Sequence, residues 1–220
     1  IKFSSGGFPA RYSDKSSSVL DIGYRDPEAF ELKGSGSLMG ASLAVGVNTG
    51  KFSMLHGVRF KKNNSLLSSL ETRGEYDPSY FDYQTNITLK SSEKFQINFL
   101  GNIALNNYNF IPANRETTFG TSENAKSFKV YFDGQEKDKF QTYVGALNFT
   151  YKKNKATAFS LGLSGFLTDE LVSYDISGEY WLDQAGTGGD NAVGGELGVG
   201  KYMEHARDRL RASVIQALLR

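Results

Sequence analysis

The 220-residue chain has no cysteine, four prolines, one tryptophan and two histidines. The missing cysteines exclude a disulfide framework, a thiolate metal site and a thiol nucleophile, and leave the redox compartment open. His56 and His205 stand far apart, and neither lies in a motif with a serine and an acid. No stretch of about 18 apolar residues occurs, which excludes a transmembrane helix. No signal-peptide pattern opens the chain. Its start at Ile1 and stop at Arg220, without a terminal signature, are those expected of part of a longer protein. With 25 basic and 24 acidic residues the formal charge is +1, so electrostatics gives no case for nucleic acid.

What the chain does have is 24 glycines, 16 phenylalanines and 12 tyrosines, a composition suited to many-stranded β structure. The clearest segment is Tyr83 to Leu105. Tyr83, Thr85, Ile87 and Leu89 alternate with Gln84, Asn86, Thr88 and Lys90. Then Phe95, Ile97, Phe99, Ile103 and Leu105 alternate with Gln96, Asn98 and Asn102. Period-two alternation marks half-buried strands. A one-residue slip would flip every side chain, so matching apolar faces requires an odd loop. The loop Ser92-Glu93-Lys94 sets Leu89 opposite Ile97 and Ile87 opposite Phe99.

Two other hairpins obey the same parity. Leu43, Val45 and Val47 end a long segment, Glu31 to Asn48. Phe52, Met54, Val58 and Phe60 follow it. A two-residue Thr49-Gly50 turn pairs Val47 with Phe52 and Val45 with Met54, and places His56 on the apolar face opposite Leu43. Phe140 to Lys152 and Thr157 to Leu167 pair through Lys153-Asn154-Lys155, with Phe149 opposite Phe159. Ser17 to Arg25 is a further strand. In a later segment Val172, Tyr174, Ile176, Tyr180 and Leu182 face away from Ser173, Asp175, Ser177 and Glu179.

Longer connections are expected at 63–80, where Leu66, Leu67 and Leu70 suit a short helix closed by Gly74, and at 106–127. Phe128 to Phe132 reads as a short strand, 133–139 as a turn and 184–192 as a glycine-rich loop. Gly194 to Met203 is a strand, and the tail Met203 to Arg220 fits a helix better than a strand by pattern alone. Every minimal turn falls at one end of the array and both long loops at the other, as in outer-membrane barrels.

Mid-strand polar positions are Gln, Asn, Thr, Ser and Gly, while Lys and Glu gather at turns, which suits a lumen better than a face in bulk water. Aromatics concentrate near strand ends, as in interfacial girdles. Chemistry is sparse. Asp133 to Asp138 lacks calcium-loop spacing and reads as a solvated turn. Gly186-Thr187-Gly188-Gly189 is no phosphate loop. Asp175 and Glu179 lie about 13 Å apart along one strand, lining a lumen rather than forming a carboxylate pair. His205 beside Glu204 reads as a loop histidine. Nothing supports an enzyme, a metal or a cofactor.

Several segments, in order, resemble TonB-dependent outer-membrane receptors of the Bacteroidetes type. Ser5-Gly6-Gly7-Phe8-Pro9-Ala10-Arg11-Tyr12 with Ser17-Ser18-Val19-Leu20-Asp21-Ile22 looks like the end of a plug domain entering the first barrel strand. Arg73 to Gln84, Asn107 to Pro112 with Arg115-Glu116-Thr117, Phe132 to Asp138, Tyr174 to Leu182 and Ala206 to Leu210 are similar to barrel segments. The resemblance implies an antiparallel up-and-down transmembrane β-barrel of 22 strands. Residues 1–16 would be the plug end and 17–220 about ten barrel strands. It turns the tail from helix to strand.

The resemblance further implies residence in the cell outer membrane and import of a large solute of siderophore, glycan or vitamin class. Partners would be outer-membrane lipid, the TonB complex through regions not in this chain, and a surface lipoprotein. Two open edges would need further strands, because lipid does not tolerate them. The ligand-binding candidates, aromatic and charged residues in the long loops, are Tyr76, Asp77, Tyr80, Tyr108, Phe110, Arg115 and Glu136. A non-transporting β-sheet module, soluble or a scaffold in an envelope complex, is the alternative.

Overall fold

The computed structural model describes residues 1–9, 12, 17–62, 74–121, 124–184 and 196–219. The expected helix around Leu66, the loop at Gly186 and the resembling residues Ala10, Arg11 and Arg73 lie outside them. The described chain is all-β and antiparallel. Lys2–Ser4 (β1) and Val19–Asp21 (β2) form a small sheet of their own. The Ser17 to Arg25 strand is thus only Val19–Asp21, and it does not join the large sheet. That sheet is built from Glu31–Ser37 (β3), Gly40–Asn48 (β4), Phe52–Lys62 (β5), Gly74–Tyr76 (β6), Ser79–Lys90 (β7), Phe95–Pro112 (β8), Arg115–Thr121 (β9), Asn124–Lys152 (β10), Ala158–Gln184 (β11) and Glu196–Leu219 (β12).

The main path is a meander, β3-β4-β5-β7-β8-β10-β11-β12, with β6 beside β8 and β9 beside β10. Element contacts run between ladder neighbours, so no second sheet packs face to face on it among the described residues. The edges β3 and β12 are not paired with each other, and the sheet is not closed.

The hairpin at Tyr83 to Leu105 has the expected register, Leu89 with Ile97 and Ile87 with Phe99. The other two hairpins keep their faces but slide. Val47 meets Met54 and Val45 meets His56, because the turn is Gly50-Lys51, closed by the Thr49 N–H donating to Phe52 O at 2.8 Å. Asn48 fixes that turn by accepting the Gly50 N–H at 2.8 Å. Leu43 therefore faces Val58, not His56. Phe149 meets Leu161 rather than Phe159, since the loop is Lys153 to Thr157, held by Asn154 Oδ1 accepting from the Ala156 and Thr157 N–H groups. Both slips preserve parity, which is why the faces survived them.

Larger corrections concern length. Glu31 to Asn48 is two strands joined at Leu38-Met39, a tight turn at the same end as the longer connections. The long loop expected over 106–127 is mostly strand: β8 runs on to Pro112, and β9 and β10 form a hairpin beyond it. Asp133 to Asp138 is strand interior, laddered by β11 throughout and by β8 from Glu136 onward. The tail is strand to Leu219, and His205 lies within it opposite Asp175. Strands β10 and β11, of 29 and 27 residues, are unbroken.

Burial is inverted in the part of the sheet nearest the short turns. One face there carries Val58, Ile87, Ile97, Leu147, Phe149, Leu161, Leu163 and Leu167. With Phe99 beside them, several of these are open: Phe99 is 40% exposed, Leu163 41% and Leu167 47%. The opposite face carries Asn86, Asn98, Asn148 and Ser164, interrupted by Leu55, Leu100, Val144 and Phe166, and there Ser53, Asp82, Thr88 and Thr168 are buried. Asn98 knits it together by donating to Asn86 Oδ1 at 2.8 Å and Thr88 Oγ1 at 2.9 Å. Burying hydroxyls and carboxylates while exposing leucines is the reverse of a sheet in water.

Candidate functional site

Beyond the row Tyr143–Leu167–Ser213 the strands continue, but their faces exchange character. The face that carried Leu147 now shows Lys139, Lys137, Asp169, Asp175, Arg209 and Arg211. The face that carried Asn148 now shows Phe128, Phe132, Tyr174, Ile176, Tyr180 and Tyr202. The two alternating apolar sets in β11 belong to one continuous strand and point opposite ways. Asp175 and Glu179 therefore do not line the aromatic side. They share the Leu163 face, against His205 Nδ1 at 3.8 Å and Lys201 Nζ at 3.1 Å.

The aromatic side of this extension holds a cavity of about 440 Å³ between Phe110, Pro112, Arg115, Phe132, Glu136, Tyr174, Ile176, Tyr202 and Glu204. Phe110 is opposite Glu136 in the β8–β10 ladder, and Tyr76 of β6 is opposite Phe110. The Tyr76 ring lies 4.7 Å from that of Phe110 and 6.4 Å from that of Tyr108. Arg115 reaches the same side through a slip: between Phe110–Glu136 and Arg115–Val130, β10 carries one residue more than the β8–β9 edge. That slip flips the β9 side chains. The Asn114 side chain fills the gap in the ladder, accepting the Phe132 N–H at 2.8 Å.

The far wall is fixed by glycine. Gly178 and Tyr202 are opposite each other, as are Tyr180 and Gly200, and each ring lies flat where a Cβ on its glycine would stand. Phe132 meets Tyr202 edge-on at 6.3 Å. Burial raises the Glu136 carboxyl above its ordinary range, and Asp138 adds to it. Burial likewise raises the Tyr108 phenol, with Glu136 second. Arg115, Glu136 and Glu204 form no ion pair with one another, so an aromatic-walled hollow holds charges of both signs that are free to meet a ligand.

Of the seven expected residues, the structure brings together Tyr76, Tyr108, Phe110, Arg115 and Glu136. Tyr80 shares a neighbouring hollow with Tyr108, Lys61 and Phe140, and its hydroxyl accepts from Arg59 Nη2 at 3.0 Å. Asp77 does not join them. It pairs with Lys62 at 3.2 Å, and its N–H donates to Asn109 O at 2.8 Å. Phe132, Tyr174, Tyr202 and Glu204 were missed. Alternation marked Tyr174 as facing one way, but only the β10–β11–β12 register shows that this is the cavity's side.

A second feature ties the N-terminal segment to the sheet. Tyr24 donates to Gln84 Oε1 at 3.0 Å, and Asn48 Nδ2 donates to Pro27 O at 2.7 Å. Pro27, fully buried, sits on Gly46, where a Cβ would come within 2.9 Å of its ring. The chain thus crosses the polar face of β4, β5 and β7. No family model matches the sequence, and comparisons with curated proteins and with solved structures returned no match.

Proposed function

We propose that the chain is part of an outer-membrane barrel that imports a large solute in the manner of TonB-dependent transporters. The observation that carries this reading is the inverted band: apolar side chains outward, polar ones covered, ending at one row across β10, β11 and β12. From Tyr143 to Lys152 and from Ala158 to Leu167 each strand spends ten residues in it, the length a tilted strand needs to cross a bilayer, about 9–11 residues. Further strands pairing with β3 and β12 would close the wall. The polar face then lines a lumen, and the Tyr24 to Pro27 stretch lying on it suits the exit of a plug.

In this reading the extension stands above the outer leaflet and its aromatic hollow captures the solute. Siderophores, glycans and vitamins all offer rings and polar groups that Phe110, Tyr174, Tyr202, Arg115 and Glu136 would recognise. Capture precedes plug displacement driven by the TonB complex, and a surface lipoprotein could close over the hollow. Uptake by a deletion strain, complemented with wild type or with a Tyr202→Ala, Glu136→Gln variant, tests the role. The expected result is a nutrient whose uptake falls on deletion, returns with wild type and stays low with the variant. No change for any of the three solute classes would overturn it.

A further inference from the structure

We infer that the outward face of β8, β10, β11 and β12 holds a phosphate-bearing lipid of the surrounding leaflet. This rests on the membrane reading above. The floor of the site is a row in strict register: Thr85 faces Gly101, Gly101 faces Gly145, Gly145 faces Gly165 and Gly165 faces Ile215. The adjoining rows are bulky. Ile87, Phe99, Leu147 and Leu163 stand on the side of the short turns, and Tyr83, Ile103, Tyr143 and Leu167 on the other. Two ridges with glycine between them make a groove of about 670 Å³. A Cβ added at Gly145 or Gly165 would meet nothing within 4 Å, so the floor is open there, while over Gly101 the Thr85 methyl and the Phe99 ring close its far end. From Gly145 across Gly165 to Ile215 the open floor covers two strand spacings, about 10 Å, which suits a run of acyl methylenes.

Charge settles the other end of the occupant. Four residues along β12 from Ile215, about 13 Å away, the same face turns basic. Arg211, Arg209 and Arg207 stand beside Lys139 and Lys137 in three consecutive outward rows. The acid among them, Asp169, is held by both Arg209 Nη2 at 2.8 Å and Arg211 Nε at 2.9 Å. Lys139 and Arg207 form no ion pair among the described residues. An apolar slot leading to unneutralised cations at the edge of an apolar band matches a lipid with an anionic head. A neutral lipid would leave the cations unused, and a soluble phosphate would leave the groove empty.

The test uses the full protein reconstituted in vesicles of phosphatidylcholine with a minority of phosphatidylglycerol, and reads the lipids retained per chain by native mass spectrometry. Wild type is expected to keep phosphatidylglycerol in preference. K139Q/R207Q, which breaks no ion pair, should weaken that preference about 30-fold, from about 1 kcal/mol per basic residue at an anionic surface. Gly145→Leu, whose Cβ meets nothing within 4 Å and whose side chain occupies the floor, should lower retention of both lipids about tenfold, as two displaced methylenes predict. Equal retention and no headgroup preference in all three proteins would overturn the lipid site while leaving the barrel intact. A protein that never enters the vesicles would overturn both.

Discussion

Strands β10 and β11 each pass through two regions that treat the same two faces oppositely. Up to Tyr143 and Leu167 the outward residues are Tyr151, Phe149, Leu147, Phe159, Leu161 and Leu163. From Gln141 and Asp169 onward they are mainly Lys139, Lys137, Ser173 and Asp175, with Leu171 and the edge-on pair Tyr131–Trp181 farther out, while Phe132 and Tyr174, with Tyr202 of β12, stand on the inner side. Backbone geometry does not change across this row, because the β10–β11 register is continuous from Lys126 to Lys152. The solvent must. An apolar outer face is stable against hydrocarbon and a charged one against water, so in the barrel reading proposed above the row is where a strand would leave the bilayer.

The largest effect should come from putting charge into the band. Leu147→Arg is expected to cost about 2–4 kcal/mol at mid-bilayer, read as the urea midpoint of folding into lipid vesicles. The same arginine at Ser173, on the same face beyond the row, should stay within about 0.5 kcal/mol of wild type. Equal costs at both positions would remove the distinction between the regions.

Next is the extension's own packing. Gly178→Ala drives a Cβ into the Tyr202 ring and should cost about 1–3 kcal/mol. It should also displace the ring from Phe132, visible as a loss of ligand affinity larger than any loss of membrane insertion. Within the band, Asn98→Ala removes donors to Asn86 and Thr88 on the covered polar face, and should cost about 1–2 kcal/mol. Asn109→Ala in the extension, whose side-chain oxygen has no hydrogen-bond partner, should cost less.

The smallest effect concerns the belt at the boundary. Hydrogen bonds from Arg209 hold the Asp169 carboxyl down to about 2, with Arg211 contributing after the opposing cost of burial. A carboxylate lowered in the folded state contributes stability above its ordinary value near 3.8, and that contribution is lost as pH falls toward about 2. Asp169→Asn should therefore lower stability slightly near neutrality, flatten the profile between pH 4 and pH 2 and converge with wild type in acid, in titrations followed by circular dichroism.

How much of this was legible follows the same division. In the band each strand carries apolar side chains on one side and covered polar groups on the other, so alternation is clean and parity fixes the face. The Tyr83 to Leu105 hairpin could be registered outright. The turns at Gly50 and Asn154 shifted because their asparagines choose the closing residue, and parity is blind to slips of two. In the extension the signal weakens. Asp133 to Asp138 resembles a turn by composition and becomes strand through its neighbours' ladders. Asn106 to Pro112 likewise read as loop. Aromatic and charged residues gathered near Tyr108 and Glu136 could be found in sequence. Tyr202 and Glu204 could not, since they come from the far strand of a register that only the fold specifies.

The most direct test uses the absence of cysteine, which allows single-cysteine spin labels without any background thiol. Labels at Leu147, Leu163 and Leu167, and at Asp169, Ser173 and Ser177, sample one face of the sheet across the boundary. In lipid vesicles the first three should be accessible to oxygen and shielded from a water-soluble nickel relaxant, and the second three should show the reverse. Water accessibility at all six positions would contradict the account.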